Sequence, residues 1–332
     1  MSSATSKSNA PETALRRQQQ ILGHLRGGKD KQQPTAIDPK SAISHIAIYG
    51  AGIMGSGIAQ VAAQAGYNVT LWDVTQADID RGLHAIRSSL ARSARKTGQP
   101  GDQIKSVLSR ISSTTDQLSA CASADLVIEA IVEKLSIKQD LFERINAAAK
   151  RSCIFATNTS SLLIRDIAAK LCDERKQRMV ALHFFNPVAA MKLVEIAYMD
   201  GTTDSQLLGL LKAWVCDIGK VPVLCRDTPG FIVNRLLVPY NIEARQLVER
   251  GDATIEDVDT AMRLGAGYPM GPFELMDMTG LDTGYHIMKA WYESAPGLAG
   301  DPRFKPSPAM ETMIADGHLG RKSGRGYYSY EK

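Results

Sequence analysis

The feature that most restricts the fold of this chain is a glycine pattern, Gly50-Ala51-Gly52-Ile53-Met54-Gly55, set between an apolar run and a run of small residues. The preceding segment, Ile43-Ser44-His45-Ile46-Ala47-Ile48-Tyr49, has the character of a short buried parallel strand. Ile53 to Ala65 has helical spacing and closes at Gly66, and Asn68-Val69-Thr70-Leu71-Trp72-Asp73 reads as a second strand ending in an acid. A GxGxxG sequence alone says little. Between a strand and a helix, with Asp73 lying 18 residues after Gly55, it reads as a dinucleotide site in a βαβ unit.

The residue types suit a pyrophosphate. Gly50 and Gly52 carry no side chain to hold the backbone away from its oxygens, and the helix opening at Ile53 and Met54 directs N–H groups and a partial positive charge at them. Gly55 allows close packing of helix on strand. Asp73 can accept from both ribose hydroxyls but repels a 2′-phosphate, and no Arg or Lys follows before Arg81. The expected cofactor is NAD rather than NADP.

Strand and helix signals go on alternating: a charged helix from Thr75 to Arg95, a strand at Leu126 to Ile131, a helix near Lys134 to Ala149, a strand at Cys153 to Ala156, a helix near Leu162 to Leu171 and a strand at Met179 to Phe184. After Val221-Pro222-Val223-Leu224 only helical spacing remains, in Phe231 to Glu249, Ile255 to Leu264 and Leu281 to Trp291. The expected architecture is α/β: a Rossmann-type, doubly wound, mostly parallel sheet over residues 43–227, then an all-α domain over 228–332. Leu236, Leu237, Tyr240 and Ile242 are expected to pack inward.

Composition narrows the partners. The 332 residues are 44% hydrophobic and 22% charged, with a net charge of +4, which favours neither a membrane protein nor one whose main partner is nucleic acid. Residues 1–42 hold seven basic and three acidic side chains, so the whole excess lies in a leading segment rich in Ser, Gln, Lys and Gly. That segment reads as a poorly ordered tail, with the folded body beginning near Ile43. The five cysteines show no CxxC pair and no metal-ligand spacing, which fits a reducing compartment and no metal site.

Two polar clusters follow apolar strands, Asn158-Thr159-Ser160-Ser161 and His183-Phe184-Phe185-Asn186-Pro187. Loops at the carboxyl ends of such strands line the ligand crevice of an open α/β sheet. Twelve residues after His183 comes Glu195, an acid within the apolar Lys192-Leu193-Val194-Glu195-Ile196. Burial of that acid demands a partner. Glu195 could hold His183 in one tautomer as a general base, or His183 could be a satisfied core histidine.

These residues match a family. Asn158 to Ser161, His183 to Pro187 with Met191 to Glu195, Asp227-Thr228-Pro229-Gly230-Phe231-Ile232-Val233-Asn234-Arg235, Leu264 to Pro272 and Gly324-Arg325-Gly326-Tyr327-Tyr328 resemble the L-3-hydroxyacyl-CoA dehydrogenases. The resemblance implies NAD-dependent oxidation of an L-3-hydroxyacyl-CoA, as in fatty-acid β-oxidation, by a homodimer. It implies His183 as general base with Glu195 as its partner, and Ser160 and Asn234 around the substrate oxygen. It also places Glu133, Lys138, Asn186 and Lys322 near the cofactor, and Ser89, Lys96 and Ser160 near coenzyme A, although Lys96 also fits an ordinary basic helix face. The alternatives are a related NAD-dependent hydroxy-acid or sugar-acid dehydrogenase, or a non-catalytic NAD-binding protein.

The leading segment stands outside this resemblance. Arg17-Gln18-Gln19-Gln20-Ile21-Leu22-Gly23-His24-Leu25 matches the N-terminal peroxisomal targeting signal at Arg17, Gln18, Ile21, Leu22, His24 and Leu25. On a helix Arg17, Ile21, His24 and Leu25 share one face, which an import receptor could read. The rival is a mitochondrial presequence, which Glu12 fits less well.

Overall fold

Among the described residues, eight strands form one sheet: β1 (His45–Tyr49), β2 (Asn68–Trp72), β3 (Ile111–Thr114), β4 (Leu126–Glu129), β5 (Ile154–Thr157), β6 (Met179–Phe184), β7 (Leu193–Tyr198) and β8 (Val221–Arg226). Their order across the sheet is β3-β2-β1-β4-β5-β6-β7-β8. The structure, a computed structural model, describes residues 37–97 and 101–330; the Arg17 to Leu25 segment and the side chain of Lys96 lie outside the described residues.

Every pairing is parallel except β6 with β7. The eight residues from Phe185 to Lys192 are too few for a crossover helix, so the chain turns back antiparallel. The inner strands read as continuous apolar runs because both faces are covered. Ile46, Ile48, Leu126, Ile128, Val180 and Leu182 feed one core, while their neighbours Ala47, Tyr49, Val127, Met179 and Ala181 feed the other.

The covering helices of this half are α1 (Ile53–Gln64), α2 (Gln76–Thr97), α3 (Gly101–Leu108), α4 (Gln117–Ala122), α5 (Leu135–Asn146), α6 (Ile164–Ile167), α7 (Asp173–Lys176) and α8 (Ser205–Asp217). The segment from Gly101 to Ala122 holds α3, β3 and α4, none of which the sequence pattern marks. β3 is an edge strand with Ser112 and Ser113 exposed at its centre, so it lacks the apolar run that distinguishes the inner strands. The packed chain also begins ahead of Ile43: a short turn at Pro39–Ser41 is capped by Asp38, and Lys40 pairs with Asp217 at 3.5 Å.

The second half consists of α9 (Val233–Glu249), α10 (Ile255–Gly265), α11 (Pro272–Thr279), α12 (Leu281–Ser294) and α13 (Pro308–Ala315), and it packs with the sheet as one unit, Asp38–Lys332. Two buried carboxylates tie it together. Asp259 accepts from the N–H groups of Phe273 and Glu274 at the start of α11 and from the Tyr328 hydroxyl. Asp277 accepts from the N–H groups of Tyr327 and Tyr328 and from the Tyr330 hydroxyl. Gly326 is required beside it, since a Cβ there would lie 2.0 Å from an Asp277 oxygen. Leu236 departs from expectation: it is 69% exposed, because Val238, Ile242 and Arg245 form the buried face of α9 and residue 236 falls on the other side.

Candidate active site

The glycine turn sits at the carboxyl end of β1, where the neighbours β2 and β4 diverge to either side. Gly50 has φ +105°, and a Cβ on Gly55 would lie 1.7 Å from the Gly50 carbonyl oxygen, so neither position admits a side chain. Gly52 is different. A Cβ there would meet nothing within 4 Å, and α1 begins just beyond it with no side-chain cap on its first N–H groups. Asp73 accepts from the N–H of Ala51 and of Val74, both at 2.7 Å.

Two cavities meet at Gly52 and Asp73. One of about 680 Å³ is lined by Gly50, Trp72, Val74, Ile131 and Val132; the other, of about 410 Å³, by Ile53, Ser56, Arg81, Ser89 and Asn186. An open glycine, free helix N–H groups and an acid at the strand end are the donor and acceptor set a dinucleotide needs, so the residues fit NAD. Ser89 and Asn186, expected at coenzyme A and at the cofactor respectively, share the second cavity.

His183 and Glu195 face each other across the antiparallel β6–β7 pair as direct register partners. Their side chains meet at 2.7 Å, from His183 Nδ1 to Glu195 Oε2, with His183 4% exposed and Glu195 fully buried. Glu195 Oε1 accepts from the N–H groups of Ile232 and Val233 at the start of α9, at 3.1 and 2.9 Å. This acid therefore links the histidine to the helical half. An ionised carboxylate only accepts, so Nδ1 carries the proton and Nε2 is left as a base. Nε2 lies 3.0 Å from the Ser160 hydroxyl, and the Asn234 amide donates to the Ser160 carbonyl at 3.3 Å. The expected quartet of Ser160, His183, Glu195 and Asn234 is one connected cluster.

Two further residues expected near the cofactor are each paired with acids. Lys138 is 1% exposed, its ammonium 2.5 Å from Glu129 and 3.1 Å from Glu133, so these two acids compensate its charge. Lys322 lines neither cavity and pairs with Asp282 at 2.6 Å. Burial opposes the charge on Glu133, but the Lys138 ammonium and the hydroxyls of Thr159 and Ser161 outweigh it and hold its carboxyl below the ordinary range. Burial dominates at Glu129 and pushes its carboxyl up. Glu129 is a site residue that sequence reasoning misses, although an acid closing the apolar Leu126-Val127-Ile128 carries the same signal as Glu195. Asn158, whose side chain accepts from the N–H of Phe184 at 2.8 Å, also belongs to the site.

Comparison with known proteins places these features in a family. The family model "3-hydroxyacyl-CoA dehydrogenase, NAD binding domain" matches residues 45–228, and "3-hydroxyacyl-CoA dehydrogenase, C-terminal domain" matches 230–330. The chain is 49% identical over 297 residues to the mitochondrial hydroxyacyl-coenzyme A dehydrogenase of Mus musculus, covering 88% of this chain and 93% of that protein. It is 41% identical over 290 residues to a probable 3-hydroxybutyryl-CoA dehydrogenase of Bacillus subtilis, covering 87% and 98%. The crystal structure of the (S)-3-hydroxybutyryl-CoA dehydrogenase PaaH1 from Ralstonia eutropha superposes with a TM-score of 0.81 at 37% identity, over 87% of this chain and all of that one.

Proposed function

The chain belongs to the 3-hydroxyacyl-CoA dehydrogenase family, and from that premise we propose that it oxidises L-3-hydroxyacyl-CoA to 3-ketoacyl-CoA with NAD, using His183 as the base. The observation that carries the mechanism is the pinned imidazole. Glu195 holds Nδ1, and Nε2 already accepts from one hydroxyl, that of Ser160. A substrate C3 hydroxyl in the same reach would pass its proton to Nε2 as the C–H bond breaks, and Glu195 would stabilise the imidazolium that results. Bound NAD supplies the hydride acceptor. In the reverse direction the protonated imidazole returns its proton to the keto oxygen. A placed base of this kind contributes about 10² to 10⁴ in rate.

Ser160 is held so that its hydroxyl shares the Nε2 side of the imidazole, where the substrate oxygen would sit, and Asn234 steadies Ser160 from the helical half. A second copy of the chain would cover the apolar surface of that half, where Leu236 and Leu264 are 69% and 83% exposed and Tyr240 packs on Tyr268. The testing experiment is NADH oxidation with acetoacetyl-CoA by the purified protein, its mass read by light scattering on the same sample. Turnover by a dimer is expected. No turnover by a protein that binds NADH overturns the activity, and a monomer mass overturns the assembly.

The motif from Arg17 to Leu25 supports import into the peroxisome through the receptor for that signal, while relatives named mitochondrial, such as the Mus musculus protein, support the mitochondrial matrix. We take the peroxisome as the destination, on the match at six positions of the motif. A fluorescent fusion of residues 1–42 should mark peroxisomes and lose that pattern on Arg17→Ala; mitochondrial labelling overturns the assignment.

A further inference from the structure

Glu133 makes more hydrogen bonds than a cofactor contact explains. Its Oε1 accepts from the Thr159 hydroxyl at 2.5 Å, the Ser161 hydroxyl at 2.9 Å and the N–H groups of Ser160 and Ser161, both at 3.1 Å. All four donors lie in the turn after β5 that carries Ser160. The other oxygen, Oε2, faces Lys138 at 3.1 Å. Lys138 in turn meets Glu129 Oε1 at 2.5 Å, Glu129 Oε2 accepts from Thr157 at 2.6 Å, and the Thr157 hydroxyl accepts from the N–H of Thr159 at 3.3 Å. The circuit closes on itself: acid, lysine, acid, threonine, turn.

We propose that Glu133 is a positioning residue for the reaction, fixing the Ser160 hydroxyl on His183 Nε2, and that the buried Lys138 and Glu129 hold Glu133 in place for that task. Ser160 is gripped from two sides. Glu133 takes its N–H and Asn234 its carbonyl, which leaves the hydroxyl at 3.0 Å from the imidazole. A turn of four consecutive polar residues, Asn158 to Ser161, has no apolar side chain of its own to anchor it. One carboxylate collecting four donors supplies the anchor. The ammonium of Lys138, 1% exposed, sets where that carboxylate sits, because a buried cation finds compensation only in the two acids it touches.

This inference rests on the oxidoreductase reading above, and wild-type turnover of acetoacetyl-CoA with NADH separates the two: without it that reading fails, whatever Glu133 does. Given turnover, Glu133→Gln keeps the shape but sets an amide donor against either Lys138 or the turn. It should lower kcat roughly tenfold or more, the scale on which small misplacements act, with the Kd for NADH within about twofold of wild type. The decisive reading is a cycle with Ser160→Ala. If Glu133 acts through Ser160, adding Glu133→Gln to Ser160→Ala should cost less than about twofold more in kcat. A weakened NADH affinity in step with kcat, or an undiminished tenfold loss on top of Ser160→Ala, overturns the proposal. Should Glu133→Gln not fold, Thr159→Val removes one donor and leaves every charge in place, and the same cycle on that variant decides.

Discussion

Replacing His183 with Gln should remove about 10² to 10⁴ of the turnover number with acetoacetyl-CoA and NADH while leaving the Kd for NADH within about twofold of wild type. The two readouts separate because the histidine lines neither of the cavities that meet at Gly52 and Asp73. Gln is a close mimic in shape. Its amide can still donate to Glu195 and still reach the Ser160 hydroxyl, so the α9 N-terminus and the Ser160 turn keep their partners. What it cannot do is take a proton. A variant that binds NADH normally and turns over within tenfold of wild type would show that the base lies elsewhere, and the pinned imidazole would then be a core histidine. Stopped-flow measurement of a single turnover is the cleaner test, since slow product release can mask a loss in the chemical step.

Much of this arrangement is legible in the residues, for identifiable reasons. Inner strands such as Leu126 to Glu129 are buried on both faces, so they stand out as apolar runs, and a glycine turn leading from such a strand into a helix is the form a dinucleotide-binding βαβ unit takes. The edge strand Ile111–Thr114 carries no such mark because one side of it has no neighbouring strand. The link of His183 to Glu195 comes from a resemblance and not from spacing, and the fold supplies its cause: the antiparallel reversal after β6 makes residues twelve apart direct cross-strand partners. Lys138 shows the opposite. The resemblance sets it near the cofactor without saying how it is held, and the fold buries it between two acids, a burial that no one-dimensional pattern in α5 marks.

Which backbone groups meet Glu195 is likewise unreadable from its own strand, since Ile232 and Val233 lie in the other half of the molecule. That contact makes Glu195 the residue whose substitutions should differ most in kind. Glu195→Gln preserves volume, and one end of its side chain becomes a donor. If the amide nitrogen faces His183, Nδ1 must accept, Nε2 becomes protonated and the base is lost; in the Ser-His-Asp template the equivalent change of an orienting Asp to Asn costs about 10⁴ in kcat. If the nitrogen turns instead toward α9, it meets two N–H donors and the helix start loses its acceptor. The first orientation keeps more hydrogen bonds, so a loss of activity near that scale with a nearly unchanged melting temperature is expected.

Glu195→Ala should behave otherwise. It leaves the N–H groups of Ile232 and Val233 and the imidazole Nδ1 without an acceptor inside the protein, at about 1 to 3 kcal/mol for each unsatisfied buried group. The loss falls where Phe231 already adopts φ +49°, a left-handed conformation that costs of order 1 to 3 kcal/mol and persists only while its surroundings hold it. Thermal unfolding should therefore drop by several degrees in the Ala variant and hardly move in the Gln variant, with both inactive. Equal melting temperatures for the two would mean that Glu195 serves the imidazole alone and that the helical half docks without it.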